Sequence, residues 1–185
     1  MGKRGRRGVN VAFAPVMAPL SPQLRAYLDL LVAATRDLYG NDLRSLVLYG
    51  SVARGTFGPT SDVDVLVVLG RSSLTWGKRI TGFIRGVVER RDVESAAANL
   101  RASRLPWRVE PVILTEAELA AHPPLLLDLT EDAVLVEDPD GAFAREIGAV
   151  RARLAELGAR RVWLDRERWY WLLTPEIRPG EGITV

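Results

Sequence analysis

Gly50-Ser51-Val52-Ala53-Arg54-Gly55-Thr56-Phe57-Gly58-Pro59-Thr60-Ser61-Asp62-Val63-Asp64 is the stretch whose reading decides the fold, because an aliphatic run lies on each side of it. Residues 43–49, rich in Leu, Val and Tyr, read as a strand that ends at Gly50-Ser51. Residues 63–69 are nearly all aliphatic and read as a central strand covered on both faces. Val52-Ala53-Arg54 has the length of one helical turn, and the Gly/Pro/Thr/Ser-rich residues 55–61 form a loop. Alternation along the second strand sets Asp62, Asp64, Leu66 and Val68 on one face, so the two carboxylates point the same way. Like charges that close, at the start of an apolar strand, repel one another and resist desolvation. A divalent cation such as magnesium, which takes oxygen ligands, relieves both costs. At the turn after Gly50 the free backbone N–H groups suit a phosphate; Gly50 permits close approach and the Ser51 hydroxyl can donate to a phosphate oxygen. Only the ten residues 52–61 separate these two elements, so one pocket would hold a metal and the phosphates it bridges, as nucleotide chemistry requires. Arg54 has two readings: a contact to phosphate or to developing charge, or a surface arginine that closes the turn onto Asp62 or another acid.

Working outward, Ser21-Pro22 is a helix start, and Leu24, Leu28, Leu31 and Leu38 recur at helical spacing until Gly40. Ile80, Phe83, Ile84, Val87 and Val88 mark a second helix, which residues 90–104 either continue or interrupt. Residues 108–114 read as a third strand, placed at an edge by Pro111, and Thr115 with Glu118 fits a capping box. Residues 125–129 form a short helix or turn, 133–136 a short strand, and Phe143, Ile147, Val150, Leu154 and Leu157 a helix ended by Gly158. The organisation expected is a basic, flexible arm over 1–20, one domain over 21–158, and a Trp-rich tail over 159–185 packed on the domain or on a partner.

With 48% hydrophobic and 26% charged residues, the chain has the composition of one compact unit. It has no cysteine, which excludes disulfides and cysteine-ligated zinc or iron–sulfur sites, so a metal must sit on oxygen ligands. The pI of about 9.3 traces to Lys3, Arg4, Arg6 and Arg7; without them 21 basic residues face 23 acidic ones. Composition therefore does not establish a nucleic-acid binder. No apolar run is long enough for a membrane helix, and the expectation is a cytoplasmic protein without membrane contact. His122, the only histidine, precedes Pro123-Pro124 and reads as a helix-ending surface residue. Trp163, Trp169, Tyr170 and Trp171 among Arg160, Arg161, Arg166 and Arg168 have the look of a nucleic-acid surface. Alternation instead puts Trp169 and Trp171 on one strand face, packed on the domain or a partner.

Gly50-Ser51, Arg54-Gly55 and Ser61-Asp62-Val63-Asp64 together resemble the GS…RG…SDxD motif of the polymerase-β-like nucleotidyltransferase superfamily, in particular its minimal nucleotidyltransferases. The resemblance implies an α/β (α+β) fold, a small mixed sheet with helices packed mainly on one face. It implies transfer of a nucleoside monophosphate from an NTP to an acceptor hydroxyl with release of pyrophosphate. By that similarity Asp62 and Asp64 would hold Mg2+ (two ions, or Mn2+), and Gly50 and Ser51 would seat the β- and γ-phosphates. The third carboxylate of the family, usually aspartate, is best matched by Glu110 in Arg108-Val109-Glu110-Pro111-Val112, as metal ligand and aid to deprotonation of the acceptor. Such enzymes act on small molecules, proteins or RNA ends. The lack of a large C-terminal helical domain favours AMP transfer from ATP to a protein, with a HEPN-type helical partner as in a toxin–antitoxin pair. The alternative is a catalytically weak nucleotide-binding module that works through protein–protein interaction.

Overall fold

The computed structural model describes residues 20–165 and 168–174. The basic arm, apart from Leu20, and residues 175–185 of the tail lie outside the described residues. Helix α1 (Pro22–Tyr39) starts where the Ser21 hydroxyl accepts a hydrogen bond from the Leu24 N–H at 3.2 Å, with proline in the first turn. Strand β1 (Leu43–Tyr49) runs into α2 (Gly50–Arg54), a single helical turn, and then β2 (Val63–Leu69) returns antiparallel with Tyr49 opposite Asp64. Strand β3 (Val109–Thr115) lies parallel to β2, from Val63 opposite Val109 to Leu69 opposite Thr115. A parallel pair needs a long crossover, which α3 (Trp76–Phe83), a π-helical turn (Ile84–Val88) and α4 (Arg91–Ala102) supply. The second helix expected from the sequence is thus interrupted, at Arg90, whose backbone is extended (φ −68°, ψ 137°). The Arg90 guanidinium bridges Asp37 on α1 and Asp92 on α4 at 2.9 and 3.0 Å.

Beyond β3 come α5 (Glu116–Leu119), opened by the Thr115–Glu118 capping box, α6 (Leu125–Asp132), β4 (Val134–Glu137) and α7 (Ala142–Leu157). The tail supplies an antiparallel hairpin of β5 (Arg160–Trp163) and β6 (Trp169–Leu172). Strand order in the main sheet is β3-β2-β1-β4, so β2 is interior and the Pro111 strand is at an edge, where its missing N–H costs no ladder bond. Among the described residues no helix is long and apolar enough to cross a membrane.

The mixed sheet agrees with the sequence reading, whereas the helices do not gather mainly on one face. One face packs Leu24, Leu28, Phe83, Val93 and Leu100 from α1, α3 and α4 against Leu48, Val65 and Val67. The other packs Leu119, Leu129, Phe143 and Ile147 from α5, α6 and α7 against Val47, Leu66 and Val68. The reason lies in β2: every residue from Val65 to Leu69 is buried, and a strand apolar on both sides needs a layer on each. Leu66 is fully buried in the second layer. Leu66→Ala should therefore cost about 2–5 kcal/mol, measured as a lowered urea midpoint at unchanged slope.

Candidate active site

The site forms where β1 ends and β2 begins. Gly50 has φ +70°, and a Cβ built there would stand 2.1 Å from Asp64 Oδ2. Glycine is needed for both reasons: the left-handed backbone, and a carboxylate lying against the first residue of α2. Burial of Val52 and Ala53 pins α2 to the core. At the far end Gly55, again left-handed at φ 70°, sends its N–H back to the carbonyls of Ser51 and Val52. The loop then tightens at residues 58–61, where the Ser61 hydroxyl accepts from the Gly58 N–H at 3.0 Å, and delivers Asp62 and Asp64.

In the sheet Asp64 sits between Tyr49 on β1 and Glu110 on β3. Burial, then the neighbouring charges of Asp62 and Glu110, push the Asp64 carboxyl up from 3.8 to about 6, with Arg54 acting in the opposite direction. The Tyr49 phenol is pushed up to about 12, first by burial and then by Asp64 and Glu110. Asp62, immediately ahead of the strand, accepts from Arg108 Nε at 2.7 Å; the pair is partly exposed and so holds weakly. Glu110 is exposed on the edge strand.

Among the described residues no three acidic or histidine side chains stand together as a ready-made metal cage. Asp62 is drawn toward Arg108, and Glu110 lies open. The donors nonetheless fit magnesium, which binds through one or two carboxylates and leaves its other positions to water and phosphate oxygens. Asp64, whose ionisation is made costlier by burial and by the charges of Asp62 and Glu110 beside it, is the part of this site that calls for a cation.

Arg54 at the end of α2 closes onto an acid, and that acid is Asp132 rather than Asp62. Its Nη1 donates to Asp132 Oδ2 at 2.7 Å, and the guanidinium lies 5.2 Å from the centroid of the Trp169 ring. Trp169 and Trp171 each donate Nε1–H to Asp128 Oδ1 at 2.9 Å, so this pair of the aromatic tail is packed on α6, whereas Trp163 and Tyr170 are exposed. His122 pairs through Nε2 with Glu146 Oε2 at 3.0 Å, far from any nucleophile role. The sequence reading missed Tyr49, Arg108 and Asp132. Tyr49 was accessible from its place directly before Gly50; the other two emerge only with the strand register and the packing of α6.

The acid cluster sets a pH dependence. The folded protein keeps the Asp64 proton up to about pH 6, whereas an unperturbed carboxyl releases it near 3.8, so between these values the folded state binds more protons. Stability therefore falls as pH rises through that window. In metal-free buffer Asp64→Asn should be more stable than the parent at pH 7 and should lose most of the decline between about pH 4 and 6, as read by urea denaturation across pH.

Residues 28–118 match the family described as nucleotidyltransferase domain. A bifunctional uridylyltransferase/uridylyl-removing enzyme of Bradyrhizobium sp. (strain ORS 278) is 28% identical over 167 residues, which is 83% of this chain and 17% of that protein. The enzyme of the same description from Rhodopseudomonas palustris is 27% identical over 164 residues, 81% of this chain and 17% of its own. The chain thus spans about a sixth of the length of these curated relatives. Among solved structures, a Sulfolobus solfataricus protein assigned as a nucleotidyltransferase overlaps 67% of this chain and 94% of its own at 19% identity and a TM-score of 0.37. A toxin–antitoxin structure with AMP-PNP overlaps 70% of this chain and 91% of its own at 17% identity and a TM-score of 0.42. Gly50-Ser51, Asp62, Asp64 and Glu110 all lie inside residues 28–118 and gather at one end of a mixed sheet, so the segment that matches the nucleotidyltransferase domain is the one that carries the candidate site.

Proposed function

We propose that the chain transfers a nucleoside monophosphate from an NTP to an acceptor hydroxyl and releases pyrophosphate. The observation that carries this reading is the contact of the Asp64 carboxylate with Gly50, which joins the acid pair to the start of α2 without intervening side chain. Gly50 and Ser51 seat the β- and γ-phosphates on backbone N–H groups and the Ser51 hydroxyl. Asp62 and Asp64 hold the magnesium. An ion held there would supply neutralisation of the phosphate charge. Asp62 leaves Arg108 when it does so, which the weak, partly exposed pair permits. Glu110, one strand over and level with Asp64, takes up the proton of the acceptor hydroxyl. Positioning and charge neutralisation account for most of phosphoryl-transfer catalysis, and these residues supply both.

ATP is the default nucleotide, with AMP moved to a hydroxyl on a partner protein. The curated relatives are named for uridylyl transfer, which makes UTP the competing choice. Purified protein with magnesium, each of the four labelled NTPs and a cell lysate should label an acceptor from one NTP preferentially. Chelating the metal should abolish labelling, and Asp62→Asn or Asp64→Asn should lower the rate by roughly 100-fold or more. Glu110→Gln should lower it as well, and unchanged transfer would remove Glu110 from the mechanism. Saturable NTP binding with no labelling under any nucleotide would shift the reading to a nucleotide-binding module.

A further inference from the structure

The family match ends at Glu118, yet the arginine of the site is held by residues that lie beyond it. Asp132, at the end of α6, is almost wholly buried, with a side chain 6% exposed, and it serves two cations. Its Oδ2 accepts from Arg54 at 2.7 Å and from Arg161 at 3.2 Å, and its Oδ1 accepts from Arg161 at 3.1 Å. Arg161 is enclosed by the rings of Trp163, Trp169 and Trp171 at 5.6, 4.8 and 5.6 Å. Trp169, whose ring also faces Arg54, is fixed by its Nε1–H bond to Asp128. Of the Arg54 donors only Nη1 makes a hydrogen bond among the described residues, so Nε and Nη2 remain for a ligand.

We propose that the C-terminal hairpin completes the nucleotide site, with Asp132 and Trp169 as positioning residues that hold Arg54 so that its free donors meet the phosphates of the NTP. The inference rests on the nucleotidyl-transfer reading above. Arg54 ends the five-residue turn that Gly50 and Ser51 begin, and its charge reaches Asp64, so it borders the same pocket. A guanidinium clamped at one nitrogen and stacked on one face has less freedom to lose when it meets an anion, and its planar fork suits phosphate oxygens.

Equilibrium binding of labelled ATP and UTP with magnesium, without acceptor, tests this alongside steady-state transfer. Trp169→Ala should weaken binding and raise the NTP KM by roughly 3- to 10-fold. Its kcat should stay within about twofold, because the interaction lost is one made equally in ground and transition states. Trp169→Phe, which keeps a ring under the guanidinium, should recover most of the loss. Combined with Arg54→Ala, Trp169→Ala should cost nothing further. Asp132→Asn should follow Trp169→Ala; if it proves too unstable to assay, the Trp169 series decides alone. Parent-like binding by Trp169→Ala, or the same loss on the Arg54→Ala background, overturns the proposal even if transfer persists. Coupled binding without any transfer upholds the positioning and overturns the transfer reading, and a parent protein that binds no nucleotide overturns both.

Discussion

Everything at the site depends on the missing side chain of Gly50. Because no Cβ is present, the Asp64 carboxylate can lie against the start of α2, where a Cβ would stand 2.1 Å from its Oδ2. The same residue turns the chain from strand to helical turn through a left-handed backbone that other residues adopt only with strain. One glycine therefore sets both the direction in which β1 exits and the distance between an acid and a row of backbone donors. The loop that follows brings the chain back to deliver Asp62 and Asp64 beside that turn.

A site of this kind needs a rigid platform, and β2 provides it. Its position between β1 and β3, with buried side chains packed into both layers, leaves the strand start little room to move. The parallel register then places Glu110 level with Asp64, bringing a third carboxylate to the edge of the pocket across a single strand spacing. The electrostatic consequence is an Asp64 that ionises reluctantly, which is a cost to the empty fold and an advantage for a cation that removes it.

The C-terminal hairpin shows how a segment outside the matched domain becomes part of its surroundings. Trp169 and Trp171 share one acceptor on Asp128, Arg161 lies within their rings, and Asp132 links that cluster to Arg54. In the sequence the same residues form an aromatic and basic run open to a nucleic-acid reading. Alternation already pointed to a packed face for Trp169 and Trp171, but no periodicity could name Asp128 and Asp132 as their counterparts, since both sit on a separate short helix.

The sequence by itself determined the local parts: the start of α1 at Ser21-Pro22, the Thr115–Glu118 cap, the edge placement of the Pro111 strand, and the Gly50-Ser51 and Asp62–Asp64 pieces of the site. These are legible because capping, the missing proline N–H and strand alternation act over a few residues. Only the tertiary structure decided that helices cover both faces, that Glu110 stands level with Asp64, that Arg108 holds Asp62, and that Arg54 pairs with Asp132 rather than with Asp62. Each of these joins residues far apart in the chain, Asp62 and Arg108 at a sequence separation of 46 and Arg54 and Asp132 at one of 78. Such partners are chosen by strand register and by which buried charge most needs neutralising, and neither leaves a local trace in the sequence.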